Sequence, residues 1–289
     1  MSLSEQSLSL EEVHRLLPPR AYDAHKHLFG HVVVVGGDFG MPGSVRLAGE
    51  GALRVGAGLV SVVTHQAHLS SVVSGRPELM CYGVDSLTIS IELLPTKSSI
   101  MKASAVVLGP GLGQTSWSKQ IFDAALAAPP IPLVVDADAL NWLSRTKEIP
   151  PRDNWVLTPH PGEAARLLKI KPEEVQADRK KAALALQKQY GGVVVLKGAQ
   201  TLVVAENQQI YTCLAGNPGM ASAGMGDLLS GIIAGLIGEG LTPWQAAAAG
   251  VFIHATAGDR VAAKQGERGL LASDLLAEIP LILNNKLHS

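Results

Sequence analysis

The sequence predicts a layered α/β fold, with helices covering both faces of a mostly parallel sheet. Six short runs of β-branched residues are separated by helical segments. Each run is continuously apolar, as expected for a strand that is covered on both faces, whereas a half-exposed strand would alternate. The runs are HVVVVG from His31, LVSVVT from Leu59, SAVVLG from Ser104, PLVVD from Pro132, NWVLT from Asn154 and GVVVLK from Gly192.

The remaining elements follow from local signals. Ser9 and Glu12 have the spacing of a capping box, which predicts a short helix near the N-terminus. TLVVA from Thr201 and QIYT from Gln209 flank a polar turn, so we expect a hairpin at one sheet edge. From Met225 onward the sequence is typical of helix. No linker or repeat divides the chain, which predicts a single domain over residues 1–289 with a core from about 25 to 285.

Composition and charge exclude several classes of function. The chain has 24 Lys+Arg against 25 Asp+Glu and a formal net charge of −1, which gives little support for nucleic-acid binding. Cys81 and Cys213 form no CxxC pair, and no signal peptide is recognisable, so we expect a cytoplasmic protein. The apolar stretch 228–258 is interrupted by Glu239 and Pro243, which favours two buried helices and no membrane span.

Glycine is concentrated in two segments. Nine of the 30 glycines lie between Gly30 and Gly58, and eight lie between Gly216 and Gly240. Because glycine permits close approach of the backbone, this clustering indicates backbone that contacts a ligand.

The segment AGNPGMASAGMGD, which starts at Ala215, is the first candidate for chemistry. Gly224, Met225 and Gly226 precede an apolar helix, whose first backbone amides are free to bind an anion. Asp227 falls in the first turn, where a carboxylate beside a phosphoryl group can accept the proton of an attacking hydroxyl. The same pattern also fits an aspartate that merely caps the helix, and the segment alone leaves both interpretations open.

Five segments, in their order and spacing, resemble the NAD(P)H-hydrate dehydratase family, a branch of the ribokinase-like kinases. GMGD is similar to the GAGD motif of those kinases, whose aspartate is the base and whose preceding amides form the anion hole. The resemblance implies a ribokinase-like three-layer α/β/α sandwich with a mostly parallel central sheet. The segments are GGDFGMPGSVRLAGEGALRVGAGLVSVVT from Gly36, GPGLG from Gly109, DADAL from Asp136, TPHPGEAARLL from Thr158, and VLKGAQT leading to NPGMASAGMGD.

The resemblance also implies a substrate site for the hydrated dinucleotide. Ser44, at the start of a helix, and Gly111 or Gly113 of the GPGLG turn would line the nicotinamide pocket, next to Asp227. His160 would contact the dinucleotide at the entrance of the helix that follows NWVLT. From the residues alone, GPGLG also fits a tight strand-to-helix turn, and a lone histidine is more often structural.

The implied nucleotide site comprises KGAQT and the anion-hole glycine. Lys197 supplies a point charge for phosphate, and Gly198 permits close backbone approach. Glu163 falls where related kinases carry the glutamate of an NxxE motif near magnesium, but His160 replaces the asparagine, so only a water-mediated contact with Mg²⁺ is expected. The full set for ADP or ATP is Lys197, Gly198, Ala199, Gln200, Thr201 and Gly226.

The activity implied by the resemblance is ADP-dependent dehydration of the S form of NADHX or NADPHX, with phosphorylation of the C6 hydroxyl followed by loss of phosphate. The alternatives are the same reaction with ATP, a kinase of a small alcohol or vitamin precursor, and a nucleotide-sensing module. Relatives imply a homotetramer, and some carry a preceding epimerase domain for which this chain has no room, so we expect a separate epimerase as pathway partner.

Four histidines and a lysine remain outside this scheme. His65 and His68 have HxxH spacing without a third candidate ligand nearby, so no zinc site is predicted. His25, Lys26 and His27 resemble an HK pair that precedes the first strand in the family, and a surface basic cluster is the favoured interpretation. The chain carries no GxxxxGK[ST], GxSxG or strand-linked GxGxxG motif, which excludes a P-loop, the commonest hydrolase signal and a Rossmann fingerprint.

Overall fold

The computed structural model describes residues 5–6, 8–85, 103–127, 130–147, 149–206 and 209–284. Within these ranges, ten strands form one sheet in the order β1-β10-β9-β8-β7-β6-β5-β2-β3-β4. Neighbouring strands are parallel except where β9 pairs with β8 and with β10. The strands are β1 Glu5–Gln6, β2 His31–Val35, β3 Leu59–His65, β4 Leu79–Val84, β5 Ala105–Leu108, β6 Leu133–Val135, β7 Trp155–Leu157, β8 Val193–Leu196, β9 Thr201–Val204 and β10 Ile210–Cys213.

Eleven helices occur in the described residues. Short 3-10 turns precede β2 at Lys26–Phe29 and follow β3 at Gln66–His68. The helices are α1 Leu10–Leu16, α2 Pro42–Val55, α3 Leu69–Val73, α4 Ser116–Leu126, α5 Ala137–Arg145, α6 Pro161–Leu168, α7 Pro172–Ala177, α8 Arg179–Tyr190, α9 Met225–Gly238, α10 Pro243–Gln265 and α11 Leu275–Asn284.

The predicted three-layer sandwich is confirmed, and the six apolar runs are β2, β3, β5, β6, β7 and β8. The predicted hairpin is β9 and β10, but it does not lie at the sheet edge, because the two-residue β1 pairs with β10. Residues 207–208 of the hairpin turn lie outside the described ranges. The strand β4 was not predicted, since its sequence LMCYGV lacks a β-branched run, and its inner residues are only half-buried at the opposite edge.

Alternate residues of the strands β2 to β10 enter two separate cores. Val32 and Val34 of β2 pack with the cluster that includes α2, α9, α10 and α11, whereas Val33 and Val35 pack with the cluster that includes α4, α5, α6 and α8. This explains why the strands are apolar throughout. The helices α9 and α10 contain the apolar stretch 228–258, and within the described ranges no helix is long and apolar enough to cross a membrane.

The helices α2 and α9 pack with almost no side chain between them. A Cβ atom on Gly231 of α9 would lie 1.9 Å from the carbonyl oxygen of Ala48 in α2. A Cβ on Gly51 of α2 would lie 2.7 Å from the carbonyl oxygen of Leu228. Because backbone atoms cannot yield as a flexible side chain does, both positions require glycine. The contact sets the start of α2, with Ser44, beside the start of α9.

We expect Gly231→Ala to destabilise the protein by about 1–3 kcal/mol, because the added methyl group forces α2 and α9 apart. Thermal unfolding followed by circular dichroism measures the effect. Gly43→Ala is the matched control: it lies on α2 with nothing within 4 Å of an added Cβ, so its melting temperature should equal or exceed that of the wild type. Equal melting temperatures for Gly231→Ala and the wild type would contradict the proposed role of this packing.

Candidate active site

The GMGD segment forms the start of α9. Gly224 is the N-cap residue and has φ +87°, a left-handed conformation in which a Cβ would also lie 2.5 Å from Leu47 Cδ1. The helix begins at Met225, so the amides of its first turn lack acceptors within the helix and can bind an anion. Asp227 lies in this first turn. The predicted anion hole and the predicted base therefore share one helix terminus.

Asp227 lies close enough to Ser44, the residue predicted to line the substrate pocket from α2, for Ser44 to lower its pKa. Burial and the nearby Asp136 carboxylate raise the pKa of Asp227 to about 6, although the Ser44 side chain and the charge of Lys197 act in the opposite direction. A carboxylate with this pKa is ionised at neutral pH, yet it is more basic than an exposed aspartate. Both properties suit a general base.

Three polar residues meet at the carboxyl ends of three neighbouring parallel strands. Asp136 follows β6, Thr158 follows β7 and Lys197 follows β8. One oxygen of Asp136, Oδ1, accepts hydrogen bonds from Thr158 Oγ1 at 2.7 Å and from Lys197 Nζ at 2.7 Å. The other oxygen, Oδ2, is buried and has no hydrogen-bond partner among the described residues. The next residue, Ala137, has φ +47°, a conformation that costs energy for a residue with a Cβ.

Lys197 supplies the positive charge among the carboxylates of the candidate site. Burial by itself favours the neutral amine, but the carboxylates of Asp136, Glu163 and Asp227 outweigh that effect and raise the pKa of Lys197. A Cβ on Gly226 would lie 3.0 Å from Lys197 Nζ and 3.6 Å from Asp136 Oδ2. The absence of a side chain at Gly226 therefore leaves space directly between the lysine and the anion-binding end of α9.

The GPGLG turn lies next to Ser44, on the α2 side of the site. Gly111 has φ +55°, and a Cβ there would lie 2.9 Å from Ser44 Cβ, so the turn lies against the start of α2. The amide of Gly113 donates to Asp138 Oδ2 at 2.8 Å. The N-cap residue of α5 is Asp136, whereas Asp138 lies in the first turn of that helix and holds the GPGLG turn.

His160 and Glu163 cap α6 together. His160 Nδ1 accepts from the amide of Gly162 at 3.0 Å, and Glu163 Oε2 accepts from the amide of His160 at 2.8 Å. Burial and the charges of Lys197 and Arg166 lower the pKa of His160, whereas burial raises the pKa of Glu163 to about 7. The amide of Lys197 donates to Pro159 O at 2.8 Å, which places this pair beside Lys197.

The residues predicted to bind the adenine nucleotide all line one cavity of about 590 Å³. This set consists of Lys197, Gly198, Ala199, Gln200, Thr201 and Gly226. Apolar side chains, including Leu229 and Val251, form another wall, which suits the base of a nucleotide. The cavity and the Ser44–Asp227 contact lie on two sides of the start of α9.

Sequence reasoning missed two residues at this cavity. His254 of α10 lines it, and its Nε2 is buried without a hydrogen-bond partner among the described residues. Burial lowers the pKa of His254 to about 4, so the ring is neutral at physiological pH. Asp259 of the same helix accepts from Gly216 N and Asn217 Nδ2, both at 2.9 Å, and so holds the cavity wall. Both residues lie in a helix whose apolar composition indicated only burial.

Some predicted features remain apart from the site. His25, Lys26 and His27 are exposed in or beside the 3-10 turn before β2, as a surface cluster would be. They precede the amino end of β2, whereas the residues around Asp227 follow the carboxyl ends of the strands.

The fold and the candidate site together define a ribokinase-like protein. The parallel sheet carries the candidate ligand-binding groups at its carboxyl edge, and an aspartate lies in the first turn of a helix with a glycine-rich start. Ribokinase from Thermotoga maritima shares this fold, with a TM-score of 0.60 over 89% of this chain at 15% identity. The profile of the NAD(P)H-hydrate dehydratase family matches residues 32–281. The chain belongs to this family of hydro-lyases, which confirms the family and the enzyme class expected from the sequence.

Individual relatives support the same family assignment. The bifunctional NAD(P)H-hydrate repair enzyme Nnr of Coxiella burnetii is 50% identical over 277 residues, which are 96% of this chain and 55% of that protein. The ADP-dependent (S)-NAD(P)H-hydrate dehydratase of Neisseria meningitidis is 39% identical over 265 residues, covering 89% of this chain and 86% of that protein. The chain spans about half the length of the bifunctional relatives that it matches.

Among solved structures, the ADP/ATP-dependent NAD(P)H-hydrate dehydratase of Bacillus subtilis, co-crystallised with ATP/Mg²⁺, is similar over almost the whole chain. Its TM-score is 0.82 at 29% identity, covering 97% of this chain and 98% of that chain.

The raised pKa of Asp227 predicts a pH-dependent stability. Its folded-state value of about 6 lies above the ordinary 3.8, so the folded state loses stability as the pH rises between these values and a buried charge forms. Asp227→Asn removes that charge, and we expect a higher melting temperature than wild type at pH 8 and a similar one near pH 4. The raised pKa sets a ceiling of about 3 kcal/mol on the gain.

Calorimetry at both pH values checks this prediction. Asp153→Asn, at an exposed loop position, controls for the loss of one negative charge. A loss of stability in Asp227→Asn at pH 8 would show that the ionised carboxylate is a stabilising group and not a strained one.

Proposed function

We propose that this protein dehydrates the S form of NADHX or NADPHX at the expense of a phosphoanhydride of ADP. One observation carries the proposal: Asp227 lies beside Ser44 on the substrate side, and its neighbour Gly226 lines the cavity for the nucleotide on the other side. An alcohol and a phosphoryl group that enter from these two sides meet at the anion-binding start of α9. Family membership and the names of the relatives support the same substrates.

In the proposed reaction, Asp227 accepts the proton of the C6 hydroxyl as that oxygen attacks the terminal phosphoryl group. The ADP bond to its β-phosphorus breaks and AMP leaves, while the amides of Met225 and Gly226 donate to the developing negative charge. Phosphate then departs from C6 with the C–O electron pair, and loss of a proton from C5 restores the double bond of the reduced ring. Lys197 neutralises charge on the phosphates from the adjacent strand end.

The carboxylates fit the binding of Mg²⁺ alongside a nucleotide. No group of three or more potential ligand side chains occurs in the described ranges, but Mg²⁺ is usually bound by one or two carboxylates together with substrate phosphates. Asp136 Oδ2, which is buried and unpaired among the described residues, and Glu163 through a water molecule would hold it. When bound, the ion neutralises charge on the phosphate oxygens.

We propose ADP as the phosphoryl donor, because the Neisseria relative is named as ADP-dependent. ATP remains the alternative, since the Bacillus relative is named as using either nucleotide. Residues 1–289 would act as one dehydratase domain in the cytoplasm, as a homotetramer, and a separate epimerase would convert the R form into the S form that it uses. The free thiols of Cys81 and Cys213 agree with a reducing compartment.

Incubation of the purified protein with NADPH hydrate, Mg²⁺ and either ADP or ATP tests the function directly. We expect the absorbance of reduced nicotinamide to recover, with one phosphate released for each ring restored, and to recover faster with ADP. Omission of the nucleotide is the control. No recovery with either nucleotide, or stable accumulation of a phosphorylated small alcohol from candidate vitamin precursors, would overturn the proposal.

Asp227→Asn should bind ADP as the wild type does but lose activity by roughly 10²- to 10⁴-fold, the usual contribution of a general base. The amide nearly matches the carboxylate in shape, so the contact with Ser44 and the start of α9 persist. Steady-state turnover and equilibrium binding of ADP measure the two effects separately. Near-normal turnover in a folded variant would show that Asp227 is not the base.

A further inference from the structure

An exposed aromatic ring lies next to the substrate side of the site. Phe39 is 74% exposed, although full burial of a phenyl ring would contribute roughly 1.5–3 kcal/mol to stability. It lies on the glycine-rich loop between β2 and α2, one residue after Asp38 and five before Ser44. Asp38 Oδ2 is the nearest atom to a Cβ placed on Gly113, at 2.9 Å. Phe39 therefore neighbours the turn predicted to contact the dinucleotide.

The loop that carries Phe39 is fixed on both sides. The amides of Gly37 and Asp38 donate to Pro110 O at 2.9 Å and Gly111 O at 2.7 Å, which joins the loop to the GPGLG turn. Asp38 accepts from the amide of Phe39 at 2.7 Å and from Thr115 Oγ1 at 2.5 Å. The exposed ring thus belongs to an ordered loop and not to a loose one.

The two histidines of the HxxH motif support the ring. His68 stacks with Phe39 at a centroid distance of 6.1 Å and an interplanar angle of 27°, and His65 meets it edge-on at 5.7 Å. His68 is buried, and its nitrogens bridge the loop, since Nε2 accepts from Gly40 N and Nδ1 donates to Gly37 O, both at 3.2 Å. His65 in turn meets the buried Trp117 at 5.8 Å.

We propose that Phe39 is a stacking platform for one of the two bases of the dinucleotide substrate, held in place by His65 and His68. Its ring leaves most of its surface open to solvent next to the turn of Gly111 and Gly113. The two rings of the substrate are the parts that gain from an aromatic face, the planar adenine through area and offset stacking and the hydrated nicotinamide, which has tetrahedral carbons, through apolar contact area. The proposal rests on the proposed function, because that function makes a dinucleotide the substrate.

Replacement of the ring should weaken substrate binding and leave nucleotide binding alone. We expect Phe39→Ala to raise KM for NADPH hydrate by about 5- to 100-fold, the range that loss of base stacking spans, with kcat and KM for ADP close to wild type. Phe39→Trp should retain the wild-type KM. Leu28→Ala is the matched control, because Leu28 is 61% exposed but precedes the amino end of β2. An unchanged KM in Phe39→Ala, or an equal rise in KM for ADP, would overturn the proposal.

Two further arms refine the test. If the hydrate of reduced nicotinamide mononucleotide shows the same rise in KM, the ring that contacts Phe39 is the hydrated nicotinamide, and if only the dinucleotide shows it, that ring is adenine. Fluorescence titration with NADPH measures binding without turnover, so a failure of the proposed reaction is distinguishable from a failure of the platform. Wild type that binds no NADPH, or a change of oligomeric state in Phe39→Ala by light scattering, would refute the platform.

Discussion

The close packing of α2 on α9 is the constraint on which the site depends. Gly231 and Gly51 allow the two helices to meet backbone to backbone, and the two helix starts consequently lie side by side. Ser44 can then reach Asp227, which joins the start of α2 to the start of α9. A wider separation, as ordinary side chains would impose, would leave Asp227, the proposed base, without its neighbour from α2.

The site contains more carboxylates than cations. Asp136, Glu163 and Asp227 surround Lys197, and burial raises the pKa of both Glu163 and Asp227. Such a group of carboxylates is costly unless further positive charge arrives. In the proposed reaction, a nucleotide that enters with Mg²⁺ would bring that charge together with its phosphates, so this group of carboxylates fits the pair better than a bare anion.

Much of this arrangement could be predicted from the sequence, because it follows from chain order. Parallel strands end at one edge, so Asp136, Thr158 and Lys197 had to converge, and the glycines of GMGD marked the helix start. His254 and Asp259 could not be found in this way, since the long helix α10 carries them among alanines and only the packing shows which side faces the cavity. Likewise β4, without a β-branched run, is a strand because β3 pairs with it.

The nearly neutral composition and the abundant glycine have one physical explanation. A long polyanion requires an excess of basic side chains, but a small phosphate site can use helix amides, one lysine and a metal ion. Amides reach a ligand only where side chains are absent, as at Gly226, whose Cβ would enter the space beside Lys197. The glycines of α9 therefore serve two purposes at different depths. Those within the helix bring α2 close, whereas those at its start leave the backbone amides open to a ligand, which we propose is the phosphoryl group.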